Sequence, residues 1–279
     1  MSRLHVVHTT SFRYASPVTA SYNEARMTPL TQPGQTVLES RLDIRPSTWA
    51  AEYRDYWGTA VTAFEVLTPH EELELTAEHR IEVSERPAPR PSCGWDTLAA
   101  PDLRDRLAEF LADTPTTLVP AEVVELATRA RHGLEPVDAA VAICAALRDE
   151  VEYVPGTTAV HTPASEAWAA RSGVCQDVAH LAAGALRSAG IPARYVSGYL
   201  YPRGDGAVGE SLVGESHAWV EWWAGDWFPY DPTNRTPAGE HHVVLARGRS
   251  YDDVPPLRGI YAGASTEDLD VQVRITRES

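Results

Sequence analysis

The sequence predicts an α+β protein: an all-β N-terminal domain, then helices packed on an antiparallel sheet. Three observations point there. Residues 3–85 alternate apolar and polar side chains with the two-residue period of strands. A proline-rich stretch, Arg86-Pro87-Ala88-Pro89-Arg90-Pro91-Ser92, then interrupts the pattern. Beyond it the apolar spacing turns helical before strand-like runs return. The expected division is residues 1–85 as a β domain, 86–100 as a linker and 101–279 as a second domain.

The elements follow in order. Leu4, Val6, His8, Thr10, Phe12 and Tyr14 mark a first strand. Val37 to Ile44, Glu52 to Tyr56, Val61 to Leu67 and Glu72 to Val83 mark further strands. Gly34, Trp57-Gly58-Thr59 and Pro69-His70 read as their turns, which suits a small sandwich or half-barrel. Three amphipathic helices come next. Their apolar faces are Leu103, Leu107, Phe110 and Leu111; Val123, Val124, Leu126 and Ala127; and Val137, Val141, Cys144, Ala145 and Leu147. A fourth helix begins near Cys175, with Ser172 or Gly173 as its start and Gly190-Ile191-Pro192 as its stop. Strands over Arg194 to Tyr201, Ala218 to Trp223, Trp227 to Asp231 and Val271 to Ile275 complete the chain.

Composition narrows the function. The chain has 279 residues, 43% hydrophobic and 23% charged, enough for a sizeable core. A net charge of −15 argues against a nucleic-acid surface, since neutralising phosphates takes clustered cations. All 24 basic residues are arginine, so the N-terminus is the only primary amine and the chain is a poor acceptor for its own crosslinking. Cys93, Cys144 and Cys175 are an odd set without paired spacing, neither a disulfide framework nor a zinc knuckle. No apolar run reaches membrane-spanning length, and Met1 to His5 carries no apolar signal core, so a cytoplasmic location is expected.

The chemistry concentrates in the second domain. A cysteine attacks carbonyls as its thiolate, and a helix N-terminus and a neighbouring imidazolium both favour that form. Position gives Cys175 the first, and His217 would supply the second. Ala224-Gly225-Asp226 reads as a three-residue turn, so residues 217–233 form a hairpin with Trp223 facing Trp227. Trp219 then lies opposite Asp231, and His217 sits two residues along on the same face. Such diagonal neighbours are about 7–8 Å apart at the backbone, near enough for an imidazole and a carboxylate to meet. A slip of one residue would send them to opposite faces.

The expected roles are nucleophile for Cys175, proton carrier for His217 and orienting carboxylate for Asp231. The Cys175 backbone N–H would contribute to an oxyanion hole. Trp219, on the His217 face, is the candidate substrate-binding side chain. Taken singly, each residue also has an ordinary reading: a small buried thiol, a structural histidine, a turn-capping aspartate. A zinc set of Cys175, His180, His217 and Asp231 is disfavoured, because a helix turns His180 away from Cys175. No metal and no cofactor are expected. Cys144 on its apolar stripe and Cys93 in the linker read as unreactive, and His241-His242 reads as a surface pair.

These blocks also resemble a known family. Gly173-Val174-Cys175-Gln176-Asp177, Gly190 to Tyr199, His217-Ala218-Trp219-Val220-Glu221 and Asp231-Pro232-Thr233-Asn234 are similar to the bacterial transglutaminase-like superfamily. So is Gly248 to Pro255, although the family usually carries an acidic residue where Ser250 stands. Pro17-Val18, Asn23-Glu24-Ala25-Arg26, Pro29 and Pro69-His70 resemble the family's N-terminal domain. The resemblance implies a papain-like catalytic domain with Cys175, His217 and Asp231 in the roles above. It leaves the reaction open among crosslinking transferases, proteases and amidases.

The expectation is thus a cysteine-dependent acyl-transfer enzyme with a protein or peptide substrate. It would attack a peptide bond or a glutamine side chain and release the thioester to water or an amine. Water is favoured, because no segment marks an amine site. The alternative is a non-catalytic binding or scaffold protein on the same fold. Neither a nucleic acid nor a membrane is an expected partner.

Overall fold

The computed structural model describes residues 2–85, 89–90, 93–156, 161–201, 208–263 and 266–279. Most of the proline-rich stretch at 86–92 lies outside the described residues. The expected linker 86–100 nevertheless contains a helical turn, α1 (Trp95–Leu98).

Six strands come first: β1 (Ser2–Val18), β2 (Ala20–Ala25), β3 (Gln35–Arg45), β4 (Ala50–Arg54), β5 (Ala60–Val66) and β6 (His70–Val83). After α1 come α2 (Pro101–Arg106), α3 (Ala108–Leu111), α4 (Ala121–Ala130), α5 (Pro136–Glu150), β7 (Glu152–Tyr153), α6 (Ala164–Ala170), β8 (Ser172–Gly173) and α7 (Cys175–Ser188). The chain ends in β9 (Ala193–Leu200), β10 (Ser211–Trp223), β11 (Trp227–Asp231), β12 (Thr236–Pro237), β13 (His242–Gly248), β14 (Leu257–Ala262) and β15 (Thr266–Arg277). The result is α+β, as the sequence predicts.

Among the described residues the main sheet has nine strands. Its path runs β12-β11-β10-β15-β1-β6-β3, with β9 joined to both β10 and β13. A smaller sheet has the order β14-β2-β5-β4. The two ends of the chain are therefore interleaved. β15 pairs antiparallel with β1 along its length, Val6 facing Ile275, and β14 pairs with β2, Leu257 facing Ala25. The sequence pattern sets residues 101–279 in the second domain; β14 nevertheless pairs with β2, and β15 lies between β1 and β10.

Burial explains the arrangement. Leu4, Val6, Ile81 and Val83 from the N-terminal strands share one core with Ile143, Leu147, Leu181, Leu186 and Ile275. The outer strands keep a second core of their own, built from Tyr14, Met27, Phe64, Leu73 and Leu75. Helix α7 is the centre of the molecule. Every residue from Asp177 to Arg187 is buried, and the helix touches α4, α5, α6, β9 and β10. Its run of Ala179, Ala182, Ala183, Gly184 and Ala185 lets that many neighbours approach closely.

Candidate active site

The chain entering α7 is shaped to present Cys175. Arg171 closes α6 in the left-handed conformation, φ 53°, and Ser172–Gly173 is held parallel to Glu152–Tyr153. The Val174 N–H donates to Asp177 Oδ2 at 2.8 Å. Asp177 folds back over Gly173, where a Cβ would fall 2.7 Å from the Asp177 Cβ, so only glycine fits. Ser172 and Gly173 are thus strand residues and not the helix start. Val174 is the cap and Cys175 is the first helical residue. Cys175 is half-buried against the main core, in the turn where free N–H groups and the helix dipole favour an anion.

His217 and Asp231 meet because the hairpin has the expected register. Trp223 pairs with Trp227 and Val220 with Tyr230. His217 Nε2 donates to Asp231 Oδ2 at 2.7 Å, and both residues are buried. Burial works against a charged ring. The Asp231 hydrogen bond, the adjacent Cys175 thiol and the charges of both outweigh it, and His217 is raised to about 10. The other ring nitrogen, Nδ1, is buried and makes no well-aligned hydrogen bond. Cys175 is near enough to act on the ring's charge, while Nδ1 stays available to carry a proton.

Asp231 has no exposed surface, and burial alone would favour its neutral acid. Four donors reverse that: His217 Nε2, His242 Nε2 at 3.1 Å, Asn234 Nδ2 at 2.7 Å and the Asn234 N–H at 3.1 Å. Together they hold the carboxyl well below the usual carboxylate range. The ordinary and functional readings of Asp231 are both met. Its Oδ1 caps the turn at Asn234, and its Oδ2 serves the histidines.

Two sequence expectations need correction. His241-His242 is not a surface pair. Adjacent side chains do point apart, and His241 stays partly exposed, but His242 is buried beneath the hairpin. The cause is the β13–β9 pairing, which starts at His242 opposite Leu200. Trp219 is not a substrate-contacting wall, since it has no exposed surface. It packs with Val196, Ala238 and Val244, lies stacked 6.2 Å from the His217 ring and meets the His242 ring edge-on at 5.1 Å. Gly198, the cross-strand partner of His217, makes room for it: a Cβ there would sit 2.6 Å from the indole.

The remaining sequence readings concern residues outside this cluster. His180 is buried and its Nε2 accepts the Tyr251 N–H at 3.1 Å; burial, aided by Arg187, pushes it down to about 3. Cys144 is fully buried, which raises its thiol to about 12. Cys93 is half-buried, and its thiol is also raised by burial. A groove of about 750 Å³ lined by Arg13, Tyr14, Arg45, His70 and Glu72 shares no residue with the Cys175 cluster.

His217 Nε2, Asp231 Oδ2 and His242 Nε2 lie within 4.8 Å of one another, a spacing that a metal ion could also use. The tautomer of His242 weighs against it. Its Nδ1 accepts the Gly239 N–H at 3.2 Å, so its proton is on Nε2. Ligation through Nε2 would move that proton to Nδ1 and cost the Gly239 bond.

Comparison with known proteins agrees with this fold. Residues 4–82 match the bacterial transglutaminase-like N-terminal region, and residues 124–232 match the transglutaminase-like superfamily. An uncharacterized protein of Mycobacterium leprae is 44% identical over 277 residues, covering 99% of each chain. A protein-glutamine gamma-glutamyltransferase of Pseudomonas aeruginosa is 36% identical over 137 residues, which is 42% of this chain and 20% of that one. A crystal structure from Cytophaga hutchinsonii, provisionally named a cysteine protease, superposes with a TM-score of 0.76 at 19% identity, covering 99% of this chain and 98% of that one. At that identity the likeness speaks for the fold.

Proposed function

This chain belongs to the transglutaminase-like superfamily, and on that premise we propose that it is a cysteine-dependent acyl-transfer enzyme. The observation that carries the reading is a buried, charged His217–Asp231 pair, 2.7 Å apart, beside a half-buried thiol at a helix N-terminus. Its substrate is an amide of a protein or peptide, either a peptide bond or a glutamine side chain. Its place is the cytoplasm, where a reducing medium keeps Cys175 a thiol.

Cys175 Sγ attacks the carbonyl carbon, and the carbonyl oxygen becomes an oxyanion at the start of α7. The Cys175 backbone N–H is a donor for that charge. His217 gives its proton to the leaving nitrogen, the C–N bond breaks, and an acyl thioester remains on Cys175. Water or an amine then attacks the thioester. His217 takes the attacker's proton, and the C–S bond breaks to return the thiol. Throughout, Asp231 stabilises the imidazolium without itself taking the proton.

An electrophilic thiol probe tests this on wild type, Cys175→Ala and His217→Ala, followed by product mass with and without an added primary amine. Labelling lost in both variants supports the enzyme. A free acid product identifies hydrolysis, and a mass gain equal to the amine identifies transfer. Equal labelling of wild type and His217→Ala returns the protein to the scaffold reading.

A further inference from the structure

We propose that His242 is a positioning residue that holds the Asp231 carboxylate in line with His217; the role assigned to that pair rests on the reading of Cys175 as nucleophile.

The tautomer of His242 is set by backbone. The Gly239 N–H donates to Nδ1 at 3.2 Å, and the His242 N–H donates back to the Gly239 carbonyl at 2.8 Å. This tight turn leaves Nε2 as the ring's N–H, and it points to Asp231 Oδ2 at 3.1 Å. His242 is therefore a standing donor. Protonating Nδ1 would cost it the amide bond. The ring has little room to turn, with the centres of the Trp219 and His217 rings 5.1 Å and 6.1 Å from its own.

Both histidines thus donate to one oxygen. Asn234 holds Oδ1 through its backbone N–H and Oδ2 through its amide. A carboxylate so enclosed cannot swing away from His217. Without His242 the oxygen loses a charge-assisted bond and the carboxylate is free to rotate towards Asn234. The imidazolium then loses its partner, and the thiolate it supports declines. The other charged groups on this side are already paired: Glu221 with Arg194 and Arg247, and Glu240 near His241.

The test compares wild type, His242→Phe and His242→Gln. Phenylalanine keeps the volume and removes the donor, whereas the glutamine amide puts an N–H near the lost Nε2. The first readout is the pH profile of Cys175 alkylation by iodoacetamide. The second is the downfield proton of His217 Nε2, seen by NMR, which reports the bond to Asp231 without any substrate. The Phe variant is expected to alkylate about tenfold more slowly at neutral pH, with the onset moved up about one pH unit, as loss of one charge-assisted bond implies. Its His217 proton signal should broaden or vanish. The Gln variant should recover to within about threefold of wild type.

A folded Phe variant with the wild-type profile and signal overturns the proposal, as does a Gln variant no better than Phe. Should the Phe variant unfold, His242→Asn, whose shorter amide falls short of Oδ2, takes its place with the same expectation. If wild-type Cys175 alkylates like an ordinary thiol while the His217 signal still depends on His242, the positioning role stands. The catalytic reading then falls.

Discussion

The Gln35 side-chain amide grips Val244 on both sides, accepting its N–H at 2.8 Å and donating to its carbonyl at 2.9 Å. Gln35 opens β3 in the N-terminal region; Val244 lies on β13, two residues from His242. The Leu30 N–H adds a bond to the same carbonyl at 3.1 Å. A single amide thereby imitates a strand partner and fixes the backbone behind the candidate site.

Replacing Gln35 with alanine leaves the buried Val244 N–H without its acceptor. The expected loss is about 1–3 kcal/mol of stability, read by urea unfolding. Labelling of Cys175 should fall with it, because His242 is carried on the released strand. A variant as stable as wild type would show the clasp to be dispensable.

Thiol chemistry should single out one cysteine. Cys144 has no exposed surface and its thiol is pushed up to about 12. Cys93 is half-buried and raised as well. Brief iodoacetamide treatment of the native protein at neutral pH should add one adduct, mapped to Cys175 by peptide mass. Cys144 should react only in denaturant.

The pH dependence of stability follows from the buried pair. His217 has an ordinary value of 6.5 and a folded value of about 10. Its contribution is complete below about 6.5 and is lost as pH rises through about 10. Asp231 is depressed, so its contribution is present above the ordinary carboxylate range and is lost in acid. Wild type should therefore lose on the order of 4 kcal/mol between neutral and strongly alkaline pH from this pair. Asp231→Asn should flatten that alkaline slope. Urea midpoints across the alkaline range check both; an unchanged slope in the variant would remove Asp231 as the cause.

Glu221 is buried between Arg194 and Arg247, and although burial opposes its charge the two guanidinium groups lower it to about 2. Arg247 contacts it at 2.8 Å and 3.0 Å, and Arg194 at 2.6 Å. Glu221→Gln leaves two guanidinium groups facing each other with a neutral amide between them. A loss of about 3 kcal/mol is expected, read as a lower melting temperature. Because Glu221 shares the β10 strand with Trp219 and His217, the same variant should also weaken Cys175 labelling.

The parts of the site set by local rules were legible in the sequence. A three-residue turn fixes the hairpin register, and that register alone brings His217 to Asp231. The start of α7 was readable from the residues around Cys175, although the capping group proved to be Asp177 and not Ser172. What was illegible depends on partners far along the chain. His242 looks like a polar surface residue until β13 pairs with β9 and Gln35 clasps Val244. The strand that carries Trp219 is legible, but the burial of Trp219 needs Ala238, Val244 and Leu30 to close over it. β2 showed too little alternation to be seen, because its partners β5 and β14 supply the burial.

Strand β10 runs without a break from Ser211 to Trp223. Its first residues pair with β15 and the rest with β9 and β11. One continuous ribbon thus serves as a structural beam for both halves of the chain. An amputated front half would strip β15 of β1 and leave that beam with an unsupported end. Anyone dissecting this protein should cut by residue function, since removing the first strands takes from β15 and β14 the partners they hold in β1 and β2.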